Sequence, residues 1–338
     1  MTSVRGIGPL PRLLDRMEGP LAAAHLFSEI GLPIDIASEA QRMVPLDTLI
    51  RLYEDAARLT GDPLFGLKAG QEMVDDYGLW VEYARRAPTL RACLERASRS
   101  IAYHQTGTSL TLSVSGGRAR YAYRVSARRP ANRLQHLQHT IPALLETFRV
   151  FAGEDWKPDW IELDLDYDPR IRAMEKALSV PVRCGQPAMA LVFSPALLDR
   201  AQKTDAPASK NLGWTELKTM VRDRPPRAFA DLVRETIHLD LISGAPQIDG
   251  AAQRLGMGPR TVQRRLQDEG CAYRDLVAEV RAERGKMLLA STDLPITEIA
   301  FRLGYSDPTH LARAFSQRVG TSPTAYRKAR RGTKASSS

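Results

Sequence analysis

The sequence predicts two dissimilar domains: a mixed α/β N-terminal domain with a small, largely antiparallel sheet, and an all-α C-terminal domain built on a doubled helical hairpin. Three observations predict them. Residues 109–125 alternate apolar and polar side chains about a Ser115-Gly116-Gly117 turn, the pattern of a β-hairpin. The apolar signal then vanishes over 202–211 (QKTDAPASKN), and every periodic stretch beyond it has the spacing of a helix. Finally, one phrase occurs twice in the last third, as AAQRLGMGPRTVQRRL (251–266) and EIAFRLGYSDPTHLARAF (298–315).

Length and charge narrow the possibilities. A chain of 338 residues fits two domains, and at 43% hydrophobic it can bury a core in each. The net +9 is unevenly placed: residues 210–338 carry 22 Lys/Arg against 14 Asp/Glu, whereas residues 1–209 are near neutral. That asymmetry points the C-terminal domain at a polyanion. Cys93, Cys184 and Cys271 are odd in number and far apart, which argues against a disulfide framework or a cysteine metal site and fits a reducing compartment. With no apolar run near 18 residues and no cleavable leader pattern, a soluble cytoplasmic protein without membrane contact is expected.

Along the chain, the Gly- and Pro-rich residues 1–20 read as a loose start, and 22–30 as a short helix ended by Gly31. Pro45 sits just inside the next helix, where Leu46, Leu49, Ile50, Tyr53, Ala56, Ala57 and Leu59 keep a helical period until Thr60-Gly61-Asp62-Pro63 stops it. LFGLKAG (64–70) makes a further turn or short helix, and Thr89 can cap a helix running to His104. After the hairpin come a helix over 134–151, a strand over 160–165, a helix over 170–178, and a closing pair of strands over 180–184 and 188–193. A helix opened by Pro226 and ended by Gly244 puts Phe229, Leu232, Val233, Ile237 and Leu241 on one face. These readings divide the chain into a first domain (1–205), a linker (206–224), a second domain (225–330) and a disordered tail (331–338).

In the first copy of the doubled phrase, Gly256 ends one helix and Pro259 takes the first position of the next. Val262 and Leu266 then face inward, leaving Arg260, Gln263 and Arg264 outward with Thr261 at the margin. In the second copy Asp307 is the cap and Pro308 the first residue; Leu311 and Phe315 face inward, and Thr309, His310 and Arg313 outward. Each copy is a helix-turn-helix motif whose second helix can meet phosphates and base edges. The helix over 272–290, with Leu276, Val280, Met287 and Leu288 toward a core, links the two motifs and sets their separation. Two such helices read major-groove segments about 34 Å apart on one face of double-stranded DNA.

The stretches GMGPRTVQRRLQDEG (256–270), YRDLVAEVRAERGKMLLA (273–290) and ITEIAFRLGYSDPTHLARAFSQRVGTSPTAYR (296–327) closely resemble the AraC/XylS family of bacterial transcription regulators. The resemblance covers about 225–330. It implies a seven-helix domain that binds promoter DNA, activates transcription by recruiting RNA polymerase, and reads bases with Arg260, Gln263 and Arg264 in the first unit and Thr309, His310 and Arg313 in the second. Two residues depart from the family pattern: Gly258 replaces a common Ser cap and Gly285 a usual Ala, both hinting at a less rigid link.

YxxAxxLTGDPLFGLKAG (53–70) and YGLWVEYARRAPTLRACLERASRSIAYHQTG (77–107) resemble the N-terminal domain of a subgroup of these regulators, a domain named for arabinose binding although most members do not answer to arabinose. The resemblance implies a small-molecule sensor and homodimerisation module without naming a ligand. Trp80, Tyr83, Tyr103, His104, Arg120, Tyr121 and Tyr123 are the candidates to line a pocket, with Arg120 suited to a carboxylate. His136 and His139 read as polar helix-surface residues, Cys93 as core, and Asp164, Asp166 and Asp168 as lacking the glycine and distal Glu of a calcium loop; no metal site is expected.

The expected function is therefore a sequence-specific DNA-binding transcriptional regulator, an effector-responsive activator with no enzymatic activity and no cofactor. Two alternatives stay open. One is a ligand-free regulator whose N-terminal domain only dimerises or contacts a partner protein. The other is a DNA-modifying enzyme fused to the same DNA-binding module, which the cysteine spacing disfavours.

Overall fold

The N-terminal segment, expected to be loose, is ordered and buried. In the computed structural model, which describes residues 1–39, 42–73, 78–125, 132–202 and 228–335, β1 (Thr2–Ser3) leads through one 3₁₀ turn into α1 (Leu10–Glu18). The glycines and prolines here punctuate the chain instead of loosening it. Gly8 and Gly19 adopt positive φ at the two ends of α1, Pro11 lies in its first turn where a missing N–H is harmless, and Leu10, Leu13 and Leu14 are buried.

The rest of the first unit follows in order: α2 (Ala22–Ile30), β2 (Met43–Val44), α3 (Leu46–Thr60), α4 (Phe65–Glu72), α5 (Leu79–Arg85) and α6 (Leu90–Ser100). Thr89 caps α6 as expected, its hydroxyl accepting from the Ala92 N–H at 3.3 Å. Pro45 lies one residue outside α3, and Leu59, placed on the apolar face by the sequence, is exposed in the last turn. The hairpin is β3 (Thr108–Ser115) and β4 (Arg118–Val125), with Gly116 and Gly117 both at positive φ in the turn. There follow α7 (Leu134–Ala152), β5 (Trp160–Glu162), α8 (Arg170–Leu178), β6 (Val182–Arg183) and β7 (Met189–Phe193).

The main sheet runs β3-β4-β7-β5-β6, antiparallel except for β5 and β6. Its last two strands do not pair with each other, contrary to expectation. β7 is buried at all five positions and takes the centre, while the half-exposed β6 takes an edge. One face of the sheet, carrying Tyr121, Tyr123, Leu191 and Phe193, packs on α6 and α7 through Leu94, Phe148 and Phe151.

Two close approaches tie α4 to α7. A Cβ on Gly66 would lie 2.1 Å from the Gln135 carbonyl oxygen, and one on Gly70 2.4 Å from that of His139. The Gly66 N–H also donates to Gln135 Oε1 at 2.8 Å, and the buried Glu54 carboxylate receives the Gln135 N–H at 2.7 Å, capping α7.

The expected linker lies within 203–227, outside the described residues, as does Pro226. The chain divides into compact units of residues 1–225 and 226–338. In the second, α9 (Phe229–Ser243), α10 (Ile248–Arg254), α11 (Pro259–Asp268) and the first half of α12 (Tyr273–Ser291) enclose one core. The second half of α12 encloses another with α13 (Ile296–Arg302), α14 (Pro308–Val319) and α15 (Pro323–Ala335). α12 gives Leu276 and Val280 to the first core and Leu288 and Leu289 to the second; Met287, expected inward, is exposed. The last helix continues through 331–335, part of the stretch expected to be disordered.

Gly285 corrects another expectation. A Cβ there would come within 3.3 Å of both Leu303 and Phe315, so the glycine seats the second motif tightly on α12 and does not loosen the link.

Candidate nucleic-acid interface and ligand cavity

Each helix-turn-helix is built as the caps foretell. Gly256 and Gly304 turn the chain at φ of 63° and 71°, and Pro259 and Pro308 begin the second helices. Gly258 caps α11 without a side chain, whereas the Asp307 carboxylate accepts the Thr309 N–H at 2.5 Å. Hydrogen bonds from Thr309 hold the Asp307 carboxyl below the usual carboxylate range.

With Val262, Leu266, Leu311 and Phe315 buried, the opposite faces are turned to solvent. Arg260, Gln263 and Arg264 are exposed on α11, with Thr261 half-buried, and Thr309, His310 and Arg313 are exposed on α14. Among the described residues, none of the arginines 260, 264 and 313 forms an ion pair.

Other arginines of this unit hold the scaffold. Arg254 pairs with Asp240 at 3.0 Å, Arg281 donates to the Gly304 carbonyl at 3.0 Å and stacks on Tyr305, and Arg327 donates to the Leu294 carbonyl at 2.6 Å. Glu269 receives the Phe229 and Ala230 N–H groups at 2.7 and 2.9 Å, fixing the start of α9. Sequence reading missed these scaffold contacts. Only the helical period distinguishes Arg254, on the inward side of the repeat, from the outward Arg260 and Arg264.

In the first unit a cavity of about 60 Å³ lies among α5, α6, the β3–β4 hairpin and α7. Of the seven sequence candidates, Trp80, His104, Tyr121 and Tyr123 line it. Three do not. Tyr83 is buried under Arg96, whose guanidinium lies 5.2 Å from its ring, and Tyr103 is not part of the lining. Arg120 emerges from the opposite face of β4, where its Nε meets Glu162 Oε2 at 2.5 Å and its Nη2 donates to the Ala188 carbonyl. The period-two alternation of a strand puts Arg120 on the face opposite Tyr121 and Tyr123.

His136 and His139, expected on the surface, are 1% and 2% exposed and line the cavity. The i,i+3 spacing on α7 gave a face but not its direction. A chain of contacts runs from the Thr2 hydroxyl to Gln105 Oε1 (3.1 Å), from Gln105 Nε2 to the Tyr123 hydroxyl (2.5 Å), and between that hydroxyl and His136 Nε2 (3.2 Å). Burial pushes His104 down to about 4 and His136 to about 3, and holds His139 well below the ordinary histidine range, so all three rings are neutral at pH 7. Cys93 is fully buried and burial raises its thiol to about 12. Asp164 is engaged by Arg133 at 2.7 Å. Among the described residues no cluster of three His, Cys, Asp or Glu could hold a metal, and no helix is long and apolar enough to cross a membrane.

A neutral, helix-and-sheet unit followed by a basic unit with paired helix-turn-helix motifs defines a DNA-binding transcription regulator. Residues 21–202 match the family model of the arabinose-binding domain of AraC transcription regulators, and residues 251–329 match that of a helix-turn-helix domain. The chain belongs to the AraC family of transcription regulators. It is 25% identical to the HTH-type transcriptional regulator VirS of Mycobacterium tuberculosis over 299 residues, 88% of each chain. It is 42% identical to the HTH-type transcriptional regulator VqsM of Pseudomonas aeruginosa over 82 residues, 24% of this chain and 25% of that one. Among solved structures, the transcriptional regulator CdpR from Pseudomonas aeruginosa is similar with 24% identity and a TM-score of 0.39, over 84% of this chain and 92% of that one.

Proposed function

We propose that this chain is an effector-responsive transcription activator that reads promoter DNA with α11 and α14. Arg260, Thr261, Gln263 and Arg264 face one major-groove segment, and Thr309, His310 and Arg313 face the next, one helical turn away. The observation that carries this reading is the division of labour among arginines: those at 260, 264 and 313 are exposed and without ion pairs among the described residues, whereas Arg254, Arg281 and Arg327 bind the fold together.

The first domain, ending near residue 205, senses a small-molecule effector and forms a homodimer; a segment over 206–224 joins it to the reader, and the DNA-bound dimer recruits RNA polymerase in the cytoplasm. Neither catalysis nor a cofactor enters. The lined cavity supports a sensor over a domain that only dimerises, because a purely structural core would close that space.

The test is affinity. At a site found by genome-wide mapping of bound promoters, Arg264→Ala or Arg313→Ala weakens binding by about 1–3 kcal/mol, roughly five- to 150-fold, with the circular dichroism spectrum unchanged. Parent-like binding by both variants would overturn the assignment.

A further inference from the structure

We propose that the cavity of the first unit takes a compact, uncharged, largely apolar molecule carrying one carbonyl or hydroxyl group, and takes neither a sugar nor a carboxylate. The proposal rests on the sensor reading and adds to it the chemistry of the ligand.

Charge is the first argument. Among the described residues no Asp, Glu, Lys or Arg lines the cavity. The arginine that the sequence offered for a carboxylate, Arg120, is on the other face of the sheet with Glu162. The three lining histidines are neutral at pH 7 because burial opposes their protonation. A carboxylate or ammonium group would enter as an unpaired buried charge, the costliest group a protein interior can accept.

Polarity is the second. Much of the wall is Val81, Ala84, Leu94, Ala97, Ala143 and Leu144. Of the polar lining, Thr2, Gln105, Tyr123 and His136 Nε2 already satisfy one another in the chain of contacts described above. A sugar brings a hydroxyl on nearly every carbon, and each one left unmatched costs the desolvation of a polar group.

The remaining polar capacity sets the third argument. The Trp80 Nε1–H and His136 Nδ1 are buried and without a hydrogen-bond partner among the described residues. Trp80 is held by stacking on His104, ring centroids 5.3 Å apart and 27° between planes. Buried donors and acceptors are nearly always paired in folded proteins, so two unpaired ones on side chains lining one cavity mark where a ligand supplies the partner. A single carbonyl or hydroxyl answers the indole N–H, and the volume of about 60 Å³ keeps the molecule compact.

The experiment uses the full chain and thermal melting. Acetone and 2-propanol, matched to that volume, are the neutral probes; acetate and ethylene glycol are the charged and polyhydroxylated comparators of similar size. The neutral probes should raise the melting temperature of the first unit in proportion to the logarithm of their concentration, and the comparators should not. Ala97→Val, which fills the cavity, should abolish the shift. Trp80→Phe, which keeps a stacking ring and removes the N–H, should weaken the response to acetone about three- to tenfold.

If the neutral probes leave the parent unshifted, or if ethylene glycol or acetate stabilises it and Ala97→Val removes that effect, the ligand class is wrong. The sensor reading is judged separately, by a reporter fused to a mapped promoter. A folded Ala97→Val variant with parent-like output under every growth condition that changes the parent's output would sink the sensor reading as well.

Discussion

Substituting Gly66 by Ala tests the packing that holds the cavity together. On general grounds the change should help: Ala in a helix is favoured over Gly by about 1 kcal/mol. Here the added Cβ would sit 2.1 Å from the Gln135 carbonyl oxygen and 2.9 Å from its carbon, both main-chain atoms of α7 that cannot rotate away. α4 and α7 would have to part by about 1 Å, stretching the 2.8 Å hydrogen bond from Gly66 N–H to Gln135 Oε1 and shifting the helix that carries His136 and His139. Overpacking of this kind costs about 1–3 kcal/mol or more, and the strained hydrogen bond adds about 1 kcal/mol, so the propensity gain is outweighed and a net loss of about 1–3 kcal/mol is expected. Urea denaturation followed by far-ultraviolet circular dichroism would read it as a lower midpoint. A Gly66→Ala protein as stable as the parent, or more so, would refute the close approach of the two helices.

Two further outcomes follow from buried charge. His104 and His136 titrate at about 4 and about 3 in the folded chain against about 6.5 unfolded, and burial also lowers His139, so below pH 6.5 the unfolded chain binds more protons than the folded one. Their contribution to stability is complete above pH 6.5 and is lost as the pH falls toward the folded values, at about 1.4 kcal/mol per pH unit for each ring, with the raised carboxyl of Glu54 opposing the trend only near its own range. Thermal melts of the first unit should therefore fall between pH 7 and pH 5; a flat profile would show that the histidines are not buried neutral. The equivalent arginines of the repeat should also part company. Arg254→Ala removes the cation from a pair only 15% and 10% exposed and should cost about 2–3 kcal/mol, whereas Arg302→Ala breaks a pair 55% and 44% exposed and should cost under about 1 kcal/mol by the same denaturation measurement.

How much was legible depended on whether a residue's role is local. The caps and turns of both motifs rest on Pro259, Asp307, Pro308 and the glycines between helices, and they stand where the sequence put them because a cap is decided within one helical turn. The hairpin at 108–125 was equally local. Sheet order was not: β6 and β7 are neighbours in sequence but β7 pairs with β4 and β5, and only its unbroken apolar run hinted at a central place. The loose reading of residues 1–20 failed because Gly and Pro mark the ends of elements as readily as their absence. In the cavity, aromatic residues drew attention to Trp80, Tyr121 and Tyr123, while His136, His139 and Gln105 were missed because their burial comes from α7 and the start of β3 meeting across more than 20 residues of chain. Gly66 and Gly70 carried the helical spacing of a close contact, yet nothing nearby named α7 as the partner.

As proposed above, α11 and α14 act as separate readers of one DNA face, and dimethyl sulfate protection of major-groove guanines on a mapped promoter resolves the two. The parent should protect two segments about one helical turn apart. Arg264→Ala should lose protection in one segment and Arg313→Ala in the other, each leaving its neighbour protected. Protection of one segment only, or loss of the same segment in both variants, would contradict it.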